Sequence, residues 1–301
     1  MVIGSFFLMS WSRISKSDSS SGGFSNIDLV ENTSTRRKYA LKRINNHSQN
    51  EEKAALKEIE IIKKLSPHPY ITKVIDFAIE GVADDLVNTT SSLSIVLPYY
   101  KNGSLDTYLA RKSKFNDFIS EHQVLVIFQG ISEGVRAIHE CGYAHRDLKA
   151  GNVCFSESME PILVDFGSAA EARVEICGQS DAMKLQDEAE EKCSLCYRAP
   201  ELFQVESYAI IDERTDIWSL GCLLYALCFF KSPFDTVYER GDSVSLAVLS
   251  GKIPFPESSP YSQDLHELIL FLLKANPMER PFIYSVIEKT QDLLAKMENR
   301  V

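Results

Sequence analysis

Two stretches near the middle of the chain collect side chains able to do chemistry: GYAHRDLKAGNVCF at 142–155 and PILVDFGSAA at 161–170. They bring Asp147, Lys149, Asn152 and Asp165 into one short span. Carboxylate and amide oxygens are hard ligands of the kind a small divalent cation takes, and a lysine beside them suits an anion. Taken singly, Asp147, Asn152 and Asp165 are more ordinarily turn-formers, because Asp and Asn side chains bond to the backbone of exposed loops. Two further pieces extend the set, YALK ending at Lys42 and CYRAPELF at 196–203. Their common order along the chain carries more information than any one of them.

The first hundred residues read as strands with one helical interruption. SNIDLVE and RKYALKRI alternate polar and apolar residues at period two. Between about Asn50 and Leu65, Ala55, Ile59 and Ile62 form one helical stripe, with Glu58 at its margin, facing the edge of a core. SLSIVLPYY at 92–100 reads as a strand stopped by Pro98, and EGVADDLVNTTSS before it as a polar surface loop. From Ser104 the period becomes helical. Ser104 is placed to cap LDTYLARK, and Ser120 with Gln123 forms a capping box ahead of Val124, Ile127, Phe128, Ile131, Val135 and Ile138. Later helices are expected near 216–230, 264–274 and 282–297, and KLQDEAEEKC has helical composition. A small β-rich part and a larger helical part would leave a cleft for a ligand.

Bulk properties narrow the classes. The 301 residues carry a net charge of −10, which disfavours nucleic acid as a partner. Seven cysteines, an odd number confined to Cys141–Cys228, do not make a disulfide framework; Cys193 and Cys196 have no second pair at zinc spacing and read as ordinary thiols. The expected compartment is the reducing cytoplasm. Sequons at Asn32, Asn46 and Asn88 are read as coincidental. MVIGSFFLMSW lacks a basic n-region, and the apolar run at 217–230 is shorter than the ~20 residues a membrane span requires, so neither a signal peptide nor a transmembrane segment is expected.

The order strand lysine, HRDxxxxN, DFG and APE matches the protein-kinase signature set. From about residue 20 to its end the chain resembles eukaryotic protein kinases, and within them the Numb-associated kinases, on GGFSNIDLV, GYAHRDLKAGN, YRAPELF, IDERTDIWSLGCLLYAL and GDSVSLAV. The resemblance implies an α+β bilobal fold: a β-rich N-lobe at about 20–97 with one helix, a hinge at 98–101 and a helical C-lobe from 102. It implies ATP and Mg2+ as cofactors and proteins bearing serine or threonine as substrates. Lys42 would steady the α- and β-phosphates, held by Glu58; Asp147 would orient the substrate hydroxyl; Lys149 would stabilise the γ-phosphate and mark the serine/threonine branch. Asn152 and Asp165 would hold the metal. Leu97 would guard the adenine pocket, lined also by Ile27 and Ala40, with Pro98, Tyr99 and Tyr100 as the hinge. His145 and Phe166 would belong to a packed column, Glu201 would pair with Arg280, and Asp216 would anchor the catalytic loop. Arg146 would hold a phosphorylated activation segment, for which Ser180, Ser194 and Tyr197 are candidates.

The match is least regular at its start. On the pattern GxGxxGxV, Ser20 stands at the first glycine, Gly22 at the second, Ser25 at the third and Ile27 at the valine, with Gly23 and Phe24 at the loop's tip. Serine reaches tight-turn geometry less cheaply than glycine, so weakened nucleotide binding is the expectation. Residues 1–19 read as an atypical, disordered extension, since SRISKSDSS offers little for a strand to bury. Lipid anchoring of the kind found among such kinases would need Gly directly after Met, where this chain has Val2, leaving peripheral membrane contact as a minor option. The reading from a different class is a pseudokinase, a partner-binding scaffold with a degraded loop.

Overall fold

The computed structural model describes residues 11–16, 25–84 and 89–299. The chain divides into two compact units, Met1–Lys101 and Asn102–Val301. The first holds an antiparallel five-stranded sheet in the order β1-β2-β3-β5-β4: β1 is Trp11–Lys16, β2 Ser25–Asn32, β3 Lys38–Asn46, β4 Asp76–Asp84 and β5 Thr89–Pro98. The period-two pattern sorts side chains between its faces. Leu41, Val30, Ala78 and Val96 form one buried cluster. Leu93 and Ile95 pack on the other face against Ala55 and Ile59 of α1, Gln49–Leu65. That helix is capped from both sides of its start: Ser48 Oγ accepts from the Glu51 N–H, and Glu51 Oε2 reaches back past the cap to accept from the His47 N–H.

Two polar stretches depart from the sequence reading. Residues 11–16, expected within a disordered extension, form β1 and pair with β2. An edge strand gains its backbone bonds without a long apolar run; here Trp11 packs 5.0 Å from Tyr39, and Arg13 pairs at 2.6 Å with the buried Asp28. The polar stretch at 80–92 is mostly strand rather than loop, since β4 runs to Asp84 and β5 starts at Thr89. Gly81, at φ 80°, permits the close approach there, because a Cβ would lie 2.6 Å from the Thr90 carbonyl oxygen.

The second unit is mainly helical: α2 Leu105–Lys114, α3 Glu121–Glu140, α4 Gln179–Lys192, α5 Arg214–Phe229, α6 Asp235–Glu239, α7 Val244–Leu249, α8 Gln263–Leu272 and α9 Ile283–Glu298. Short ladders pair β6 (Tyr143–Ala144) with β9 (Ala170–Glu171), β7 (Val153–Phe155) with β8 (Pro161–Leu163), and β10 (Val174–Cys177) with β11 (Tyr208–Ile211). The apolar stripe of α3 is buried throughout. Helix α5 is enclosed all round, as its uninterrupted apolar run requires, and a Cβ on Gly221 would come within 2.7 Å of Leu273 just beyond α8. Ser104 sits at the N-cap of α2 but bonds to Asp106 instead of capping the helix, because the Asp106 carboxylate competes for its hydroxyl. Among the described residues no helix is long and apolar enough to cross a membrane.

Candidate active site

In the first unit, β3 and α1 bring Lys42 and Glu58 together across sixteen positions. Lys42 Nζ donates to both carboxylate oxygens of Glu58 at 2.9 Å, and the two side chains are 8% and 2% exposed. Burial makes this pair an expensive one to split. The register sets Ile27 opposite Lys42 and Ala40 between Leu29 and Leu97, so these side chains line one face of the sheet. Tyr99 is exposed beyond the end of β5, and Tyr100 donates through its hydroxyl to Thr72 Oγ1 at 3.1 Å. Ser20, Gly22, Gly23 and Phe24 lie outside the described residues.

In the second unit, one carboxylate organises the loop between β6 and β7. Asp147, 8% exposed, accepts the Ser194 backbone N–H through Oδ1 at 2.9 Å and the Asn152 amide through Oδ2 at 2.9 Å. Lys149 Nζ lies 2.9 Å from Oδ2 and also donates to Ser194 Oγ at 2.8 Å. Asn152 donates a further bond to the Asp147 carbonyl, so its amide hydrogens are engaged and its amide oxygen is left to accept. Asp165 is exposed, at φ 61°, with Gly167 N–H donating to it at 3.4 Å. Among the described residues no group of three or more His, Cys, Asp or Glu forms a metal cage. An amide oxygen and one exposed carboxylate suit Mg2+, which keeps several waters and takes few protein ligands.

The loop is fixed from below by Asp216 of α5, which is fully buried. Its Oδ2 accepts from the His145 N–H at 2.7 Å and from His139 Nε2 at 2.9 Å; its Oδ1 accepts from the Arg146 N–H at 2.8 Å. Burial pushes the carboxyl up, but the His139 bond and the nearby imidazoles and backbone donors outweigh it and hold the group below its ordinary 3.8. Arg146 is thereby kept at φ 63°, where a β-carbon is crowded, and its guanidinium donates to the Glu171 carbonyl at 2.9 Å. His145 Nδ1 accepts from the Asp147 N–H at 3.3 Å, so its proton resides on Nε2, facing the Val164 carbonyl; its ring lies 5.0 Å from that of Phe166. Arg280, whose side chain is fully buried, donates to both oxygens of Glu201 at 2.8 and 2.9 Å.

A depressed carboxyl gives stability that is present above the unfolded value near 4 and lost as pH falls through the folded one. Asp216→Asn is therefore expected to lower Tm at pH 7, by the equivalent of about 1–3 kcal/mol for the unsatisfied donors. The gap from wild type should narrow below about pH 4. Thermal melts of both proteins from pH 7 to 3 check this, and a gap independent of pH would contradict it.

Sequence reasoning placed Ser194 only among phosphorylation candidates. Its contacts with Asp147 and Lys149 join residues more than forty positions apart and leave no local pattern to read. The cysteines behave as ordinary thiols: all seven are free, and burial pushes Cys193 and Cys196 up to about 12.

Residues 19–290 match the family described as "Protein kinase domain". The chain belongs to the protein kinase family. Serine/threonine-protein kinase 16 of Mus musculus is 39% identical over 272 residues, covering 90% of this chain and 87% of the relative. Its Homo sapiens counterpart is 38% identical over the same shares. Serine/threonine-protein kinase ppk13 of Schizosaccharomyces pombe is 30% identical, covering 89% of this kinase and 86% of its own length. Protein kinases use ATP and Mg2+ to phosphorylate proteins, and the antiparallel sheet with one helix followed by a helical unit is the α+β architecture the family implies.

Proposed function

We propose that this kinase is active and transfers the γ-phosphoryl group of Mg-ATP to serine and threonine hydroxyls of proteins, with its catalytic domain spanning residues 20–301 and its kinship lying with the Numb-associated group. The arrangement around Asp147 carries the reading. Its carboxylate is anchored by Ser194 N–H and Asn152 while Lys149 stands 2.9 Å away, which suits a group that orients a hydroxyl beside a cation. Relatives named as serine/threonine kinases, and a lysine two positions after the aspartate, support that acceptor class.

Phosphoryl transfer requires little covalent chemistry from the protein and much positioning of charge. Lys42, steadied by Glu58, supplies a fixed cation for the α- and β-phosphates. Ile27, Ala40 and Leu97 offer an apolar wall to adenine, and the backbone of Tyr99 and Tyr100 reads its edge, Pro98 having no N–H to donate. Asn152 and Asp165 would hold Mg2+, which when bound neutralises charge on the phosphate oxygens. Asp147 accepts the hydrogen bond of the incoming hydroxyl and directs its oxygen. Lys149 balances charge on the transferred group.

The test is transfer of labelled γ-phosphate from Mg-ATP, by the purified chain, to itself and to a serine-rich protein, with Asp165→Asn as control. Label on serine or threonine that disappears in the control is expected. No signal above the control, in protein shown to be folded, would favour a binding scaffold, the reading motivated by Ser20 and Ser25 in place of two loop glycines.

A further inference from the structure

Arg198 is 6% exposed, and among the described residues no carboxylate pairs with it. Burying a guanidinium without a counter-ion is costly, so its surroundings should show what offsets the cost. Its Nη2 donates to the Glu190 carbonyl at 3.3 Å and to the Cys193 carbonyl at 3.1 Å. Glu190 lies in the last turn of α4 and Cys193 is its C-cap, so the cation meets the end of the helix where carbonyls lack partners and the dipole is negative. The guanidinium lies 5.0 Å over the Phe203 ring. Arg198 also borders, with Arg146, Asp147 and Ser194, a cavity of about 10 Å³, and its Nε has no hydrogen-bond partner.

The chain position of these carbonyls gives the contact a consequence. Cys193 is followed at once by Ser194, whose N–H caps Asp147 and whose hydroxyl receives Lys149. We infer that Arg198 is a positioning residue: by clasping the C-terminal end of α4 it fixes the peptide that presents Ser194 to Asp147 and Lys149. It touches neither reacting group and acts through Ser194. This rests on Asp147 having the role proposed above.

The clasp separates stability from turnover. Arg198→Met keeps the length and packing over Phe203; the desolvation cost it removes and the two carbonyl hydrogen bonds it forfeits oppose each other, so Tm should stay close to wild type. Loss of the clasp should lower kcat about 10- to 100-fold, the scale of a misplacement near 1 Å, with KM for ATP unchanged. Arg198→Lys, which can still donate to a carbonyl, should recover part of that loss. Hydrogen exchange at the Ser194 amide, read without any turnover, should quicken in Arg198→Met while α5 stays protected. Wild-type kcat and unchanged Ser194 exchange in Arg198→Met would overturn the inference. Should that variant fail to fold, Arg198→Lys decides: normal Tm with lowered kcat and faster Ser194 exchange supports the clasp, whereas wild-type behaviour, or failure to fold here too, overturns it. An inactive wild type would remove the role of Asp147, and the exchange measurement would still judge the clasp separately.

Discussion

Replacing Asp147 by Asn is expected to lower kcat about 10²- to 10⁴-fold, the range associated with a lost acid–base group, with ATP affinity nearly unchanged. Both carboxylate oxygens are engaged, one by Ser194 N–H and the other by Asn152, with Lys149 2.9 Å from the second. An amide can keep only one of these acceptors. Turned either way, its NH2 group faces another donor: the Ser194 N–H, or the Asn152 amide and Lys149. The substituted loop therefore loses the acceptor proposed for the substrate hydroxyl and part of its internal order. The unsatisfied donor should cost about 1–3 kcal/mol, visible as a small fall in Tm. Steady-state kinetics should show kcat and kcat/KM falling together, as befits an interaction made in the transition state. A variant with kcat within a few-fold of wild type would assign the hydroxyl to another group.

Burial and periodicity made the scaffold of this site legible. Glu58 falls beside the stripe Ala55, Ile59, Ile62, which sets it at the edge of a core; on that alone it reads as a solvated helix charge, and the later motifs are what bring it to Lys42. The apolar face of α3 and the all-round apolar run of α5 likewise announce buried helices. What escaped was set by the backbone or by distant contact. Residues 11–16 and 80–92 carry too few apolar side chains to signal strands, yet strand pairing needs only N–H and C=O groups in register. Ser194 looks like any activation-segment serine until the fold brings it to Asp147 and Lys149. Arg198 was visible only as a letter of YRAPE; the carbonyls it bonds belong to a helix end whose position no periodicity gives.

Splitting the pair of Lys42 and Glu58 should separate stability from activity. Lys42→Met removes the cation from a carboxylate that is 2% exposed, and breaking a buried pair from one side costs about 3–5 kcal/mol. A marked fall in Tm is expected. The same substitution removes the charge assigned to the α- and β-phosphates, with an expected loss of about 10²- to 10³-fold in kcat, the scale of one preorganised electrostatic donor. The double variant Lys42→Met with Glu58→Leu then discriminates. Two apolar side chains of similar volume carry no desolvation penalty, and Ile95 stands opposite position 42 in the ladder, so Tm should recover most or all of the way. Activity should not recover, because packing cannot replace a cation. Melting curves and γ-phosphate transfer on the same preparations test both halves. If the double variant remained as unstable as Lys42→Met, the uncompensated charge would not be the source of the loss; if it regained activity, the phosphate contact would belong to a different cation.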